Sequence, residues 1–172
     1  MYFENAVTLP RLRLRALVSL LETIEKQAGE KNISIETILS ARLAPDMLPL
    51  SKQIQIVSDN AKGIASRLAH QEAPKMEDTE TTLEELVTRL TRTIVYLETF
   101  TEADFVDAAT AEARFPYMPW VKLVGADYLF TYALPNFFFH VVTIYAILRH
   151  LGFEIGKRDY MGSEVVMVPD EQ

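Results

Sequence analysis

The chain has 172 residues, with 17 Lys and Arg against 24 Asp and Glu and a formal net charge of −7. Hydrophobic residues make up 49% and charged residues 24%, proportions that fit one domain over residues 1–172 with a sizeable core. No basic stripe stands against the acidic balance, so nucleic acid is disfavoured as a partner, because its phosphates need clustered Lys and Arg. The absence of cysteine excludes thiol nucleophiles, disulfides and thiolate-bound zinc or iron–sulfur clusters. It also fits a reducing compartment, and with no signal-peptide pattern in MYFENAVTLPRLRLRAL the expected location is cytoplasmic.

The first periodic segment puts Leu14, Leu17, Val18, Leu21 and Ile24 at helical spacing. Thr8 suits its N-cap, Pro10 its first turn and Gly29 its stop. Arg11, Arg13 and Arg15 crowd the end where the helix dipole disfavours cations. Their bland role is pairing with acidic neighbours, and their functional role would be an anion or partner site.

A short helical piece is expected around Ser34 to Ser40. A second long helix follows, with Met47, Leu50, Ile54, Val57, Ala61, Ile64 and Leu68 on one stripe. Asp46 is its expected N-cap, with Pro49 in the first turn, and Ile56 points off the stripe. The third helix is the clearest. Thr81 with Glu84, or Thr82 with Glu85, makes a capping box ahead of Leu83, Leu86, Val87, Leu90, Ile94 and Leu97. A fourth helix is expected from about Asn136 to Leu151, stopped by Gly152.

Between the third and fourth helices, residues 101–135 are too many to stay structureless in a compact domain. This crossover is rich in aromatics and proline and holds the only tryptophan, Trp120. Short strands are expected around Trp120 to Val124. The tail from Gly152 reads as non-helical. The pattern as a whole reads as an all-α fold, an up-down four-helix bundle with a long aromatic crossover.

From Leu129 to Leu148 there is no charged residue, a length sufficient to cross a bilayer. Pro135, Asn136, His140, two threonines and two tyrosines argue for a buried helix and against a membrane partner.

Two blocks, ARLAPDMLPLSKQIQI and YLFTYALPNFFFHVVTIYAILRHLGFEIGKRDYMG, resemble an uncharacterised bacterial and fungal family within the DinB/YfiT-like superfamily. The resemblance implies an up-down four-helix bundle, often a homodimer, related to proteins regarded as metalloenzymes. Sites of that superfamily take one histidine from the second helix and two, four residues apart, from the last. This chain departs from the pattern. Four residues after His140 stands Ile144, four before it Asn136, and four before His150 stands Ala146. His140 and His150 lie about 15 Å apart along a helix, and His70 falls at the end of the second helix, off its apolar stripe. The three-histidine site is therefore absent, and no cofactor is expected. A divalent metal could only draw on His140, Asn136 and an acidic residue such as Asp46 or Asp59, although Asp59 falls on the polar side of its helix.

His140 lies on the inward stripe of the fourth helix. Its bland role is a core histidine satisfied by a carbonyl, a tyrosine or Asn136. Its sharper role is a base in a pocket formed by Trp120, Tyr128, Tyr132, Asn136 and Tyr145, although no nucleophile motif accompanies it. The expected function is a non-enzymatic or small-apolar-ligand-binding bundle. The alternative is a divergent DinB-like metal-dependent transferase or hydrolase using His140.

Overall fold

The computed structural model describes residues 1–115 and 118–164. The chain is helical from residue 2 onward. A π-helical turn, Glu4–Thr8, runs without a break into α1, Leu9–Lys31. Thr8 is therefore inside the helix and caps nothing. The stop is also later than Gly29: Asn32, at φ 54°, takes the left-handed conformation that asparagine tolerates.

Helix α2 is Ile35–Ser40, capped by Ser34, whose hydroxyl accepts from the Thr37 N–H. Helix α3 is Leu50–Leu68, with Pro49 at its N-cap. Asp46 lies exposed in the turn before it, one turn too early to cap. Helix α4 is Leu83–Leu97, and its capping box is Thr82 with Glu85. The crossover carries β1, Glu112–Phe115, paired antiparallel with β2, Met118–Val124. A π-helical stretch, Asp127–Ala133, leads into α5, Leu134–His150, so the last long helix begins nine residues before Asn136. The tail supplies one helical turn, α6, Lys157–Met161, where a non-helical segment was expected.

Side-chain contacts fix the helix directions. Arg15, near the start of α1, pairs with Glu98 just past the end of α4, so these two helices run oppositely. Gln53 meets His140 and Asn60 meets Asn136, so α3 and α5 run oppositely as well. The connection 69–82 is not a tight turn between antiparallel helices. It travels back along α3, where Lys62 donates to the Pro74 carbonyl, Ser58 to the Met76 sulfur, Gln55 to Glu80 and Lys52 to Asp78. Consequently α4 starts beside the start of α3 and runs parallel to it.

The core joins Leu14, Leu21 and Ile24 of α1 with Ile54, Val57 and Ile64 of α3, Leu86 and Leu90 of α4, and Ile144, Ile147 and Leu148 of α5. Helix α3 is the central one, covered by α4 and strap 69–82 on one side and α5 on the other. Hence polar side chains that would ordinarily face water (Gln53, Gln55, Ser58, Lys62) are buried on it and must find partners. The continuous helix Asp127–His150 is long and apolar enough to span a membrane by length and composition, with 44% of its most apolar window buried in the bundle.

Candidate functional site

Residues seven apart return to the same face of a helix after two turns. On α3 that relation links Gln53, Asn60 and Arg67, and all three face α5 and the segment before it. Opposite them stand His140, Asn136 and Tyr128. Asn136 and His140 are four apart, hence neighbours on one face. The result is a polar seam along an otherwise apolar helix pair.

At one end of the seam, Gln53 Nε2 donates to the Leu48 carbonyl at 3.1 Å, and Gln53 Oε1 lies 2.6 Å from His140 Nδ1. A carbonyl can only accept, so Leu48 fixes which end of the Gln53 amide is nitrogen. The Gln53 oxygen can also only accept, so Nδ1 of His140 must carry the proton. In the neutral ring Nε2 is then a bare acceptor. It has no hydrogen bond among the described residues, and the ring is half-buried. Burial lowers the His140 pKa from its ordinary value near 6.5, which favours that neutral form. The Phe139 ring stands edge-on to the imidazole, with centroids 5.2 Å apart.

One turn away, Asn136 Nδ2 donates to Asn60 Oδ1 at 3.3 Å. The Asn60 Nδ2 donor is enclosed and has no partner within the described protein. At the far end, Tyr128 is buried, its hydroxyl donates to the Gly63 carbonyl, and Arg67 Nη1 donates to that hydroxyl. Tyr132 packs on Phe115 of β1 at 4.8 Å and stacks with Tyr128 at 6.5 Å, and the Arg67 guanidinium lies over Phe115.

The expected pocket residues are thus divided. Asn136 and His140 share the seam, and Tyr128 and Tyr132 sit at its far end beneath the ribbon. Tyr145 instead packs edge-on to Tyr160 of α6. Trp120 does not roof His140: it projects from β2 and is 80% exposed. Gln53, Asn60, Arg67 and Leu48 were missed. The periodicity that finds core stripes ignores polar residues, yet the seven-residue spacing of Gln53, Asn60 and Arg67 was there to read.

A second polar cluster lies between α3 and α4. Arg89, 2% exposed, contacts Asp59, Asp78 and Glu80 at 2.9–3.0 Å, and Lys62 pairs with Asp59 at 2.8 Å. Burial pushes the Glu80 carboxyl up, but hydrogen bonds from Arg89, its own backbone and Gln55 together hold it below its ordinary value. This cluster pins strap 69–82. Its acids are engaged by cations, and Asp59 lies here and not in the seam.

The fold belongs to a class of solved structures. It is similar to the crystal structure of a DinB family member protein from Shewanella denitrificans, with a TM-score of 0.91 and 38% identity over 97% of this chain and 95% of that one. The molecule is a DinB-like helical bundle. Residues 2–161 match the model of a domain of unknown function, DUF1993, and the chain belongs to that family. No curated protein matches it.

The seam lies where the superfamily resemblance would put a metal, between the second long helix and a pair of residues four apart on the last. Its donors do not fit one. Gln53 Oε1 accepts the His140 Nδ1 proton and Asn60 Oδ1 accepts from Asn136 Nδ2, which leaves His140 Nε2 and Asn136 Oδ1, two donors where zinc takes at least three protein ligands. Among the described residues no group of three or more His, Cys, Asp or Glu comes together to hold a metal ion. Asp46 stays exposed in its turn.

Proposed function

We propose that this chain is a small-molecule-binding bundle whose recognition point is His140 Nε2, held as a hydrogen-bond acceptor in the α3–α5 seam. The observation that carries this reading is the Leu48–Gln53–His140 relay, which spends two hydrogen bonds on fixing a tautomer. A core histidine needs only to be satisfied, whereas here one nitrogen is satisfied and the other is left presenting a lone pair. The ligand that suits it carries one N–H or O–H donor on an apolar body, because the Phe139 ring stands edge-on to the imidazole and offers it an apolar flank.

The test is a fragment screen followed by backbone amide shifts in NMR, on the wild type and on His140→Phe, which keeps the ring but removes the nitrogen. Donor-bearing fragments should perturb residues around Gln53 and His140 in the wild type and lose that effect in the variant. Fragments that bind elsewhere, or equally well to both, contradict the reading.

The same lone pair favours a second reading, a divergent DinB-like enzyme in which His140 Nε2 removes a proton from substrate. Turnover of a bound fragment, falling with pH as His140 protonates, would favour it over simple binding. The molecule is also proposed to self-associate, since Phe139 and Val142 are 55% and 49% exposed on the outer side of α5. Val142→Glu should lower the mass measured by light scattering if that face joins two copies. A cytoplasmic location is proposed as well, since a chain without cysteine has no disulfide to call for an oxidising compartment.

A further inference from the structure

Among the described residues, Arg15 alone of the three arginines at the start of α1 meets the expected acidic partners, Glu98 and Glu164. Arg13 does not. It is 7% exposed, and its partners are the Tyr160 carbonyl at 3.1 Å, the Met161 sulfur and the face of the Tyr160 ring. Its Nε is enclosed without a hydrogen-bond partner, and no carboxylate among the described residues pairs with it. A buried cation without a counter-charge is costly, and proteins normally supply the missing anion.

Arg13 lines a cleft of about 920 Å³ between α1 and α6. Lys157 and Arg158 stand on the same cleft and make no ion pair among the described residues. Of the two acids there, Glu164 holds Arg15, and Asp159 accepts from the Gly156 N–H and keeps its charge. The floor is apolar, made by Leu12, Ala16 and Leu20. On a chain of net charge −7, the described lining of this cleft sets four cations, Arg13, Arg15, Lys157 and Arg158, against two carboxylates, Asp159 and Glu164, a local inversion of charge over an apolar floor.

We infer that the α1–α6 cleft binds a small organic carboxylate, its negative head against Arg13, Lys157 and Arg158 and its apolar body on Leu12, Ala16 and Leu20. The guanidinium offers a planar fork of donors that matches a carboxylate. The site is separate from the α3–α5 seam and does not depend on what that seam binds.

Calorimetric titration with octanoate tests this, with 1-octanol and inorganic phosphate as comparisons. Octanoate should bind the wild type more tightly than either, and more weakly as salt rises. Arg13→Gln should weaken it on the order of tenfold or more, as loss of a buried charge partner does. Because Arg13 also holds α6, a Lys157→Gln/Arg158→Gln variant on the exposed rim provides an independent readout, with weaker octanoate binding and an unchanged melting curve. Equal binding of octanol and octanoate, octanoate binding indifferent to both variants, or no octanoate binding at all would overturn the inference.

Discussion

The side-chain oxygen of Gln53 stands 2.6 Å from Nδ1 of His140, and the Leu48 carbonyl, by holding the other end of the same amide, makes it stand there. One backbone carbonyl thereby determines which nitrogen of a histidine on another helix carries the proton. Gln53→Leu removes the link and leaves the Nδ1 donor and the Leu48 carbonyl without partners. A loss of about 1 kcal/mol is expected in urea denaturation, at the low end for orphaned groups because Leu48 is exposed and the His140 ring only half-buried. Gln53→Glu should instead raise the His140 pKa, because a carboxylate beside the ring favours the imidazolium.

The lowered His140 pKa also makes stability depend on pH, with a definite sign. The unfolded histidine takes up its proton near pH 6.5, and the folded ring does so only at lower pH. Between the two values the unfolded state binds more protons, so stability falls as pH falls through that window and is fully present above it. Denaturation midpoints of His140→Phe should lack this slope, while the wild type shows it.

Arg89 and its three carboxylates predict a different response. Arg89→Met leaves Asp59, Asp78 and Glu80 facing one another with Lys62 and Lys52 as the nearby cations. A loss of about 3 kcal/mol is expected, at the low end for breaking a buried pair because Asp59 and Asp78 are partly solvated. Strap 69–82 should exchange its amide hydrogens faster in the variant, while α1 and α5 stay protected. Acid has a related effect on the wild type. Glu80 is held below its ordinary value, so its contribution is present above about pH 4.3 and is lost as pH falls through the folded value.

Gly125 closes the ribbon at φ 47°, where a Cβ would lie 2.3 Å from the Ala109 carbonyl oxygen. The obstacle is the Ala109 backbone, so no rotamer change relieves it. Gly125→Ala should therefore cost more than about 1 kcal/mol in denaturant unfolding and weaken the pairing of Glu112 with Val124.

The bundle was legible because its apolar stripes are long: Leu14 to Ile24, Leu50 to Leu68 and Leu83 to Leu97 fall in the core, with Val18 and Val87 partly buried against it. The ribbon was legible in part, from the aromatic and β-branched run ending at Val124. The return of 69–82 along α3 was not, because nothing local distinguishes a strap from a turn. Its position follows from Lys62, Ser58 and Gln55, polar residues on α3 that are buried and bond to the strap. Trp120 misled for a similar reason, since an aromatic in a crossover reads as a lid whether it turns inward or, as here, outward. The seam was half legible. His140 and Asn136 stood out, but their partners Gln53 and Asn60 are ordinary helix-surface residues until α5 covers them.

The most direct test is a long-range ¹H–¹⁵N NMR spectrum of the histidine rings, followed through a pH titration. His140 is expected as the neutral tautomer protonated at Nδ1, with Nε2 bare and a titration midpoint below 6.5. An Nε2-protonated ring, or a midpoint at or above about 6.5, would contradict the relay and with it the assignment of His140 as the acceptor.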